Sequence, residues 1–153
     1  MNSTSQPLRF TLASMLLVSA ALVSAYPADS SKLQTISVDE LVKILNSTSK
    51  KPLILHVGPR MLYEQAHIAG SQYVGQAATQ EGMDKLRELV ATLPKNTAIV
   101  LYCGCCPWSH CPNVNPAYDA VRQLGFTHVQ VLYIPNNFGT DWVNKGYPTV
   151  KGE

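Results

Sequence analysis

Outside the stretch Cys103–Cys111 the chain has no cysteine. A disulfide scaffold spreads its cysteines along the chain to close long loops, so clustering of this kind points to chemistry or to metal instead. Charge is also scarce: charged residues make up 14% of the sequence and the formal net charge is +2. No basic stripe stands out, so there is no electrostatic footprint for nucleic acid. No apolar run reaches the ~20 residues that span a bilayer as a helix. Internal repeats and low-complexity tracts are missing too. What is plentiful is apolar material, at 46% of 153 residues. That suffices for one packed domain and excludes a disordered chain.

The first 25 residues read as a secretory leader. Arg9 supplies the positive charge, Phe10 to Val23 the apolar run, and Val23-Ser24-Ala25 the small residues that a signal peptidase requires. An uncleaved anchor is the alternative, and the shortness of the run argues against it. No cysteine stands near the cleavage point for a lipid anchor. Removal after Ala25 takes the net charge to about +1 and sends the chain to an oxidising compartment, periplasmic or secreted. Residues 26–32 are polar and predict a flexible lead-in, with the folded domain over 33–153.

Strand-like and helix-like segments then alternate. Leu33–Ile36 suggests a short strand. Ser37-Val38-Asp39-Glu40 is a capping box ahead of a helix carrying Leu41, Ile44 and Leu45. Pro52–Val57 and Ala98–Tyr102 are continuous apolar runs, the pattern of strands covered on both faces. A short helix is predicted over Met61–Ala66. Met83, Leu86, Val90 and Leu93 mark an amphipathic helix that Pro94 ends. Pro116–Leu124 predicts a helix closed by Gly125, His128–Tyr133 a strand, and Phe138–Lys145 a last helix stopped by Gly146. The alternation predicts an α/β domain with a mostly parallel sheet between two helical layers. In such sheets the site lies at the carboxyl ends of strands. Cys103 stands there, directly after the strand expected at the centre.

The loop Cys103-Gly104-Cys105-Cys106-Pro107-Trp108-Ser109-His110-Cys111 supports three chemistries. The first is nucleophilic. A thiolate on a loop running into a helix N-terminus faces main-chain N–H groups and the helix dipole, and both favour the anion. Cys103 is placed for that role, with the remaining loop residues as its surroundings. The second is metal binding. Cys103, Cys105, Cys106, Cys111 and His110 are ligands suited to zinc, copper(I) or an iron–sulfur cluster. The third is local thiol redox. A bond between adjacent Cys105 and Cys106 is strained, because Cα atoms ~3.8 Å apart lie below the usual disulfide span. Pairing of Cys103 or Cys105 with Cys111 is easier.

Over nearly all of the region after the leader, the chain resembles the rhodanese superfamily. Leu53–Val57 is similar to the family strand ending Leu-Asp-Val-Arg. Tyr63–Ser71 is similar to its Glu-Tyr-x-x-Gly-His-Ile-Pro-Gly-Ala signature. Ile99–Cys103 matches the strand that delivers the catalytic cysteine, and Leu124-Gly125-Phe126 the end of the following helix. Phe138, Trp142, Gly146, Tyr147 and Pro148 match the closing Gly-Gly-Phe-x-x-Trp-x-x-x-Gly-x-Pro. The resemblance implies a sulfurtransferase or persulfide carrier. Cys103 then carries sulfane sulfur between a small donor, thiosulfate by default, and a thiol or cyanide-like acceptor, with no required cofactor. The departures are specific. His56 stands for the family's Asp and Gly58 for its Arg, with Arg60 nearby as a substitute. The cysteine loop is longer than in common sulfurtransferases. A metal-binding or thiol-redox module and a catalytically inactive interaction domain therefore stay as alternatives. Phosphotyrosine-type chemistry needs an arginine in the loop to grip phosphoryl oxygens, and the next one is Arg122, within the following helix.

Several other residues carry two readings each. His67 of the His-Ile-x-Gly signature pins a loop or takes part in chemistry. His56, near a strand end, is a base or a satisfied core histidine. His110 is a proton carrier, a metal ligand or an idle loop residue. Trp108 lids a pocket or anchors the loop. Trp142 and Tyr147 read as packing residues. Asn136-Asn137 replace the two closing glycines and tolerate the same turn. Asn46-Ser47-Thr48 is a formal glycosylation sequon.

Overall fold

The computed structural model describes Met1 and residues 33–152. The expected leader (Met1 apart) and the lead-in fall outside the described residues. The described chain runs β1 (Thr35–Ser37), α1 (Val38–Asn46), β2 (Leu53–His56), α2 (Arg60–Gln65), β3 (His67–Ile68), β4 (Gln72–Tyr73), α3 (Gln80–Ala91), β5 (Ile99–Tyr102), α4 (Val114–Gln123), β6 (Val129–Tyr133), α5 (Phe138–Asp141) and β7 (Thr149–Val150). Short 3₁₀ turns cover Trp108–His110 and Val143–Lys145.

Five strands form one sheet in the order β1-β6-β5-β2-β4, and every pairing in it is parallel. β5 sits at its centre, between β2 and β6. A separate antiparallel pair joins β3 to β7. The apolar run of β5 is explained by helices on both faces. Ile99 and Leu101 pack into a core shared with Leu86 and Val90 of α3 and with Ala117, Tyr118 and Val121 of α4. Val100 and Tyr102 pack into a second core with Leu41 of α1, Phe138 of α5 and Trp142. The strand's two-residue period assigns each side chain to one layer or the other. The fold is thus the α/β architecture expected.

The capping box is formed, with the Ser37 hydroxyl accepting from the Glu40 amide at 3.3 Å and Glu40 accepting from the Ser37 amide at 2.9 Å. Helix α4 begins at Val114, two residues ahead of the expected start. Pro116 then lies in its first turn, where a missing N–H costs no helical bond. The last helix is broken rather than continuous. It stops at Trp142, which is wholly buried and donates its indole N–H to the Pro148 carbonyl at 3.1 Å. β3, β4 and β7 have only two residues each and carry no readable period. Among the described residues, no helix is long and apolar enough to cross a membrane.

Candidate active site

Cys103 follows the last residue of β5 with the same parity as Ile99 and Leu101. Its sulfur therefore points into the α3–α4 layer, and the residue is only 2% exposed. Gly104 then turns the chain at φ +70°, in the left-handed region that favours glycine. A side chain there would meet Phe138 Cβ at 2.6 Å, while the Gly104 carbonyl accepts from the Phe138 amide at 3.0 Å. This turn folds Cys105 back, so its Sγ lies 3.1 Å from that of Cys103. Cys106 Sγ follows at 3.2 Å from Cys105 Sγ. Past the Trp108–His110 turn, Cys111 returns to the cluster. The sulfurs of Cys103, Cys105 and Cys111 all lie within 4.8 Å of one another. All four cysteines are free thiols.

The cradle of main-chain amides belongs to Cys111 and not, as expected, to Cys103. The amides of Asn113 and Val114, at the start of α4, point to the Cys111 sulfur, while Cys103 receives only that of Cys105. Cys111 is held down to about 5, chiefly because its sulfur accepts from the Cys103 thiol and next because of those two amides. Cys103 is pushed up by the same shared proton and then by burial. Cys106 is raised to about 12, first by burial and then by its sulfur neighbours. The loop is long enough to bring Cys111 back to the helix start, where the Asn113 and Val114 amides converge. The three sulfurs are thus coupled, with the Cys103 thiol donating to Cys105 Sγ and the helix-start amides favouring negative charge at Cys111.

Asn113 organises these sulfurs and was missed in the sequence. It is 1% exposed. Its Oδ1 accepts from the Ala78 amide at 2.9 Å, which aims its Nδ2 at Cys103 Sγ (3.4 Å) and Cys105 Sγ (4.0 Å). The available signal was an Asn in the N-cap position. Here its side chain leaves the helix uncapped and turns to the sulfurs instead.

His56 lies beneath the site with both ring nitrogens engaged. Nε2–H donates to the Cys103 carbonyl at 3.1 Å and Nδ1 accepts from the Gly58 amide at 3.4 Å. Burial, ahead of all else, lowers its pKa to about 4, so the imidazole is neutral at physiological pH. Gly58 explains the loss of the family arginine, since a Cβ there would stand 2.7 Å from Cys103 Sγ. Arg60 is placed elsewhere. It bonds Glu64 at 3.4 Å, lies 4.7 Å over the Tyr73 ring, and lines a cavity of about 320 Å³ to which none of the cysteines contributes. His67 is buried, with Nδ1 at 2.9 Å from the Tyr63 carbonyl and its ring stacked on Tyr63 at 3.8 Å. His110 and Ser109 are exposed and bonded to each other at 2.8 Å. His110 and Cys106 stand outside the three-sulfur group. Trp108 ties the loop down, its amide donating to the Pro135 carbonyl at 3.1 Å and its ring meeting Tyr133 edge-on at 5.0 Å.

A cavity of about 390 Å³ opens beside the cluster, walled by Leu62, Ala66, Phe138 and Val143 among others. Cys105 and Gly104 form part of its lining, whereas Cys103 does not.

The family model for the rhodanese-like domain matches residues 37–133, a span reaching from the capping box through the cysteine loop to the end of β6. The chain belongs to the rhodanese-like domain family. Solved structures share this domain's fold. A crystal structure of the Alr3790 protein from Anabaena sp. is 22% identical with a TM-score of 0.59, over 76% of this chain and 92% of that one. The BH2092 protein from Bacillus halodurans is 17% identical with a TM-score of 0.60, over 77% of each chain. The RPA3614 protein from Rhodopseudomonas palustris, described as a possible tyrosine phosphatase, is 16% identical with a TM-score of 0.55, over 76% of this chain and 83% of that one. Among curated proteins none matches the sequence. The cysteine loop of the rhodanese-like chain has no arginine to grip a phosphoryl group, so the likeness to RPA3614 extends to fold alone.

Proposed function

We propose that this rhodanese-like protein is an exported sulfurtransferase or persulfide carrier, periplasmic or secreted, in which Cys103 takes up sulfane sulfur. One observation carries the reading: Cys103 stands at the carboxyl end of the central parallel strand with two further sulfurs within 4.8 Å. The Cys103 proton passes to a neighbouring sulfur of the three-sulfur group. The Cys103 thiolate then attacks the outer sulfur of a donor, whose sulfur–sulfur bond breaks and whose leaving group departs as an anion. The persulfide left on Cys103 is itself an anion, and the Asn113 amide and Cys105 N–H are the donors that face it. Attack by a thiol or cyanide on the outer sulfur completes the transfer. The test is sulfur release to cyanide with several donors, thiosulfate included, from wild type and Cys103→Ser. Loss of release in the variant is expected, and equal rates end the proposal.

The three-sulfur group favours a second reading, a holder of a thiophilic metal ion by Cys103, Cys105 and Cys111. Metal analysis of anaerobically purified protein decides between the two. Stoichiometric metal that is lost on Cys105→Ser supports the second, and a single labile extra sulfur on Cys103 supports the first.

A further inference from the structure

Cys103 has the chemistry but not the access. It is 2% exposed, its sulfur is enclosed by Gly58 and Asn113, and it is absent from the lining of the cavity beside the cluster. Cys105 has the access. It lines that cavity, and its sulfur is 3.1 Å from Cys103 Sγ across the glycine turn. The cavity also has an uncharged lining. Among the described residues, none of its lining is charged: Gln65 and Asn137 are its polar side chains, and Leu62, Ala66, Phe138 and Val143 supply apolar wall. An anion placed there loses water and gains no cation.

Building on the sulfur-transfer reading, we propose that Cys105 is the port through which Cys103 exchanges sulfur with the outside, and that the cavity takes an uncharged thiol or hydropersulfide with an apolar body. The delivery step balances within the loop. The Cys105 sulfur attacks the outer sulfur of the Cys103 persulfide across the 3.1 Å between Cys105 Sγ and Cys103 Sγ, releasing its thiol proton as it does so. The bond between Cys103 Sγ and that sulfur breaks as the bond from Cys105 Sγ to it forms. The electron pair leaves on Cys103 Sγ, which takes up the proton released by Cys105. An uncharged thiol in the cavity then takes the sulfur from Cys105 and departs as a persulfide, its proton passing to Cys105 Sγ, which is left as the thiol. Loading runs through the same steps in reverse. No outside oxidant or reductant enters, because sulfane sulfur moves between thiols of equal oxidation state.

The protein is loaded with benzyl hydropersulfide, and delivery is followed to benzyl mercaptan and to thioglycolate at equal concentration of the protonated thiol group. Cys105→Ser, shown by its thermal unfolding to be folded, is expected to load and deliver at least about tenfold more slowly than wild type. In Cys103→Ser, alkylation and peptide mapping are expected to find the added sulfur on Cys105. Benzyl mercaptan is expected to outpace thioglycolate by at least about tenfold. A folded Cys105→Ser that matches wild type, with Cys103→Ser inactive, overturns the port and leaves the Cys103 reading standing. Absence of added sulfur on Cys105 in Cys103→Ser overturns the port as well. Turnover by Cys103→Ser at the wild-type rate ends the Cys103 reading instead. Equal rates for the two thiols overturn the uncharged substrate class.

Discussion

At the scale of single residues the site is built by exclusion as much as by attraction. Gly58 leaves the space that the Cys103 sulfur fills, since a Cβ would approach it to 2.7 Å. Gly58→Ala is therefore expected to displace that sulfur, to cost about 1–3 kcal/mol in denaturant unfolding, and to slow sulfur loading. His56 titrates with a sign that can be worked out. Its folded pKa is about 4 against a usual 6.5, so the unfolded chain binds the proton first. Stability is then unaffected by this group above pH 6.5, falls as the pH drops, and has lost on the order of 3 kcal/mol below about pH 4. Urea midpoints measured across that range check the trend, and His56→Gln is expected to flatten it. Cys111 works in a higher window. Its folded pKa is depressed to about 5, so its contribution is complete above the ordinary thiol range and is lost as the pH falls through 5. Thiolate absorbance in the folded protein is expected to show an acidic step near pH 5 that Cys111→Ser abolishes.

At the scale of elements, legibility followed length. The runs that became β2 and β5, the capping box of α1 and the apolar face of α3 each hold enough residues to show a period. β3, β4 and β7 do not, and depend on pairings that no local pattern encodes. The cysteine loop was legible as chemistry but not as geometry. Sequence spacing placed Cys103 at a strand end. It did not show that the Gly104 turn would stack Cys105 against it, or that Cys111 would reach the amides at the head of α4. Nor did it show that Asn113 would forgo capping α4 to face the sulfurs. The cap of α1 gives the control for local energetics. Ser37→Ala removes a formed reciprocal box and is expected to cost about 1 kcal/mol by thermal unfolding, with sulfur chemistry unchanged.

At the scale of the whole molecule, the question is how an outside reagent reaches a core sulfur directly. Cys103 belongs to the same packed cluster as Leu101, Leu86 and Val121, so one route to its sulfur is global unfolding. The other is local release of the loop, which is held by Trp108 N–H to Pro135, the Trp108 ring on Tyr133, the Phe138 amide to Gly104, and the packing of Cys105, Trp108 and Cys111 against that core. Trp108 is half-buried and its partners Tyr133 and Pro135 are exposed, whereas Leu101 is 0% exposed. Two substitutions separate the routes. Leu101→Ala cuts a cavity in the central strand and is expected to cost about 2–5 kcal/mol of global stability. Trp108→Ala loosens the loop and leaves the sheet intact. Labelling of Cys103 by a bulky thiol reagent, well below the unfolding temperature, reports which opening controls access. Local release predicts at least about tenfold faster labelling in Trp108→Ala with the unfolding temperature little changed, and a small labelling effect in Leu101→Ala. Labelling that instead tracks the lost global stability of Leu101→Ala makes Cys103 a core cysteine that outside reagents reach only through unfolding, and a sulfur-transfer cycle through it then has to run by way of Cys105.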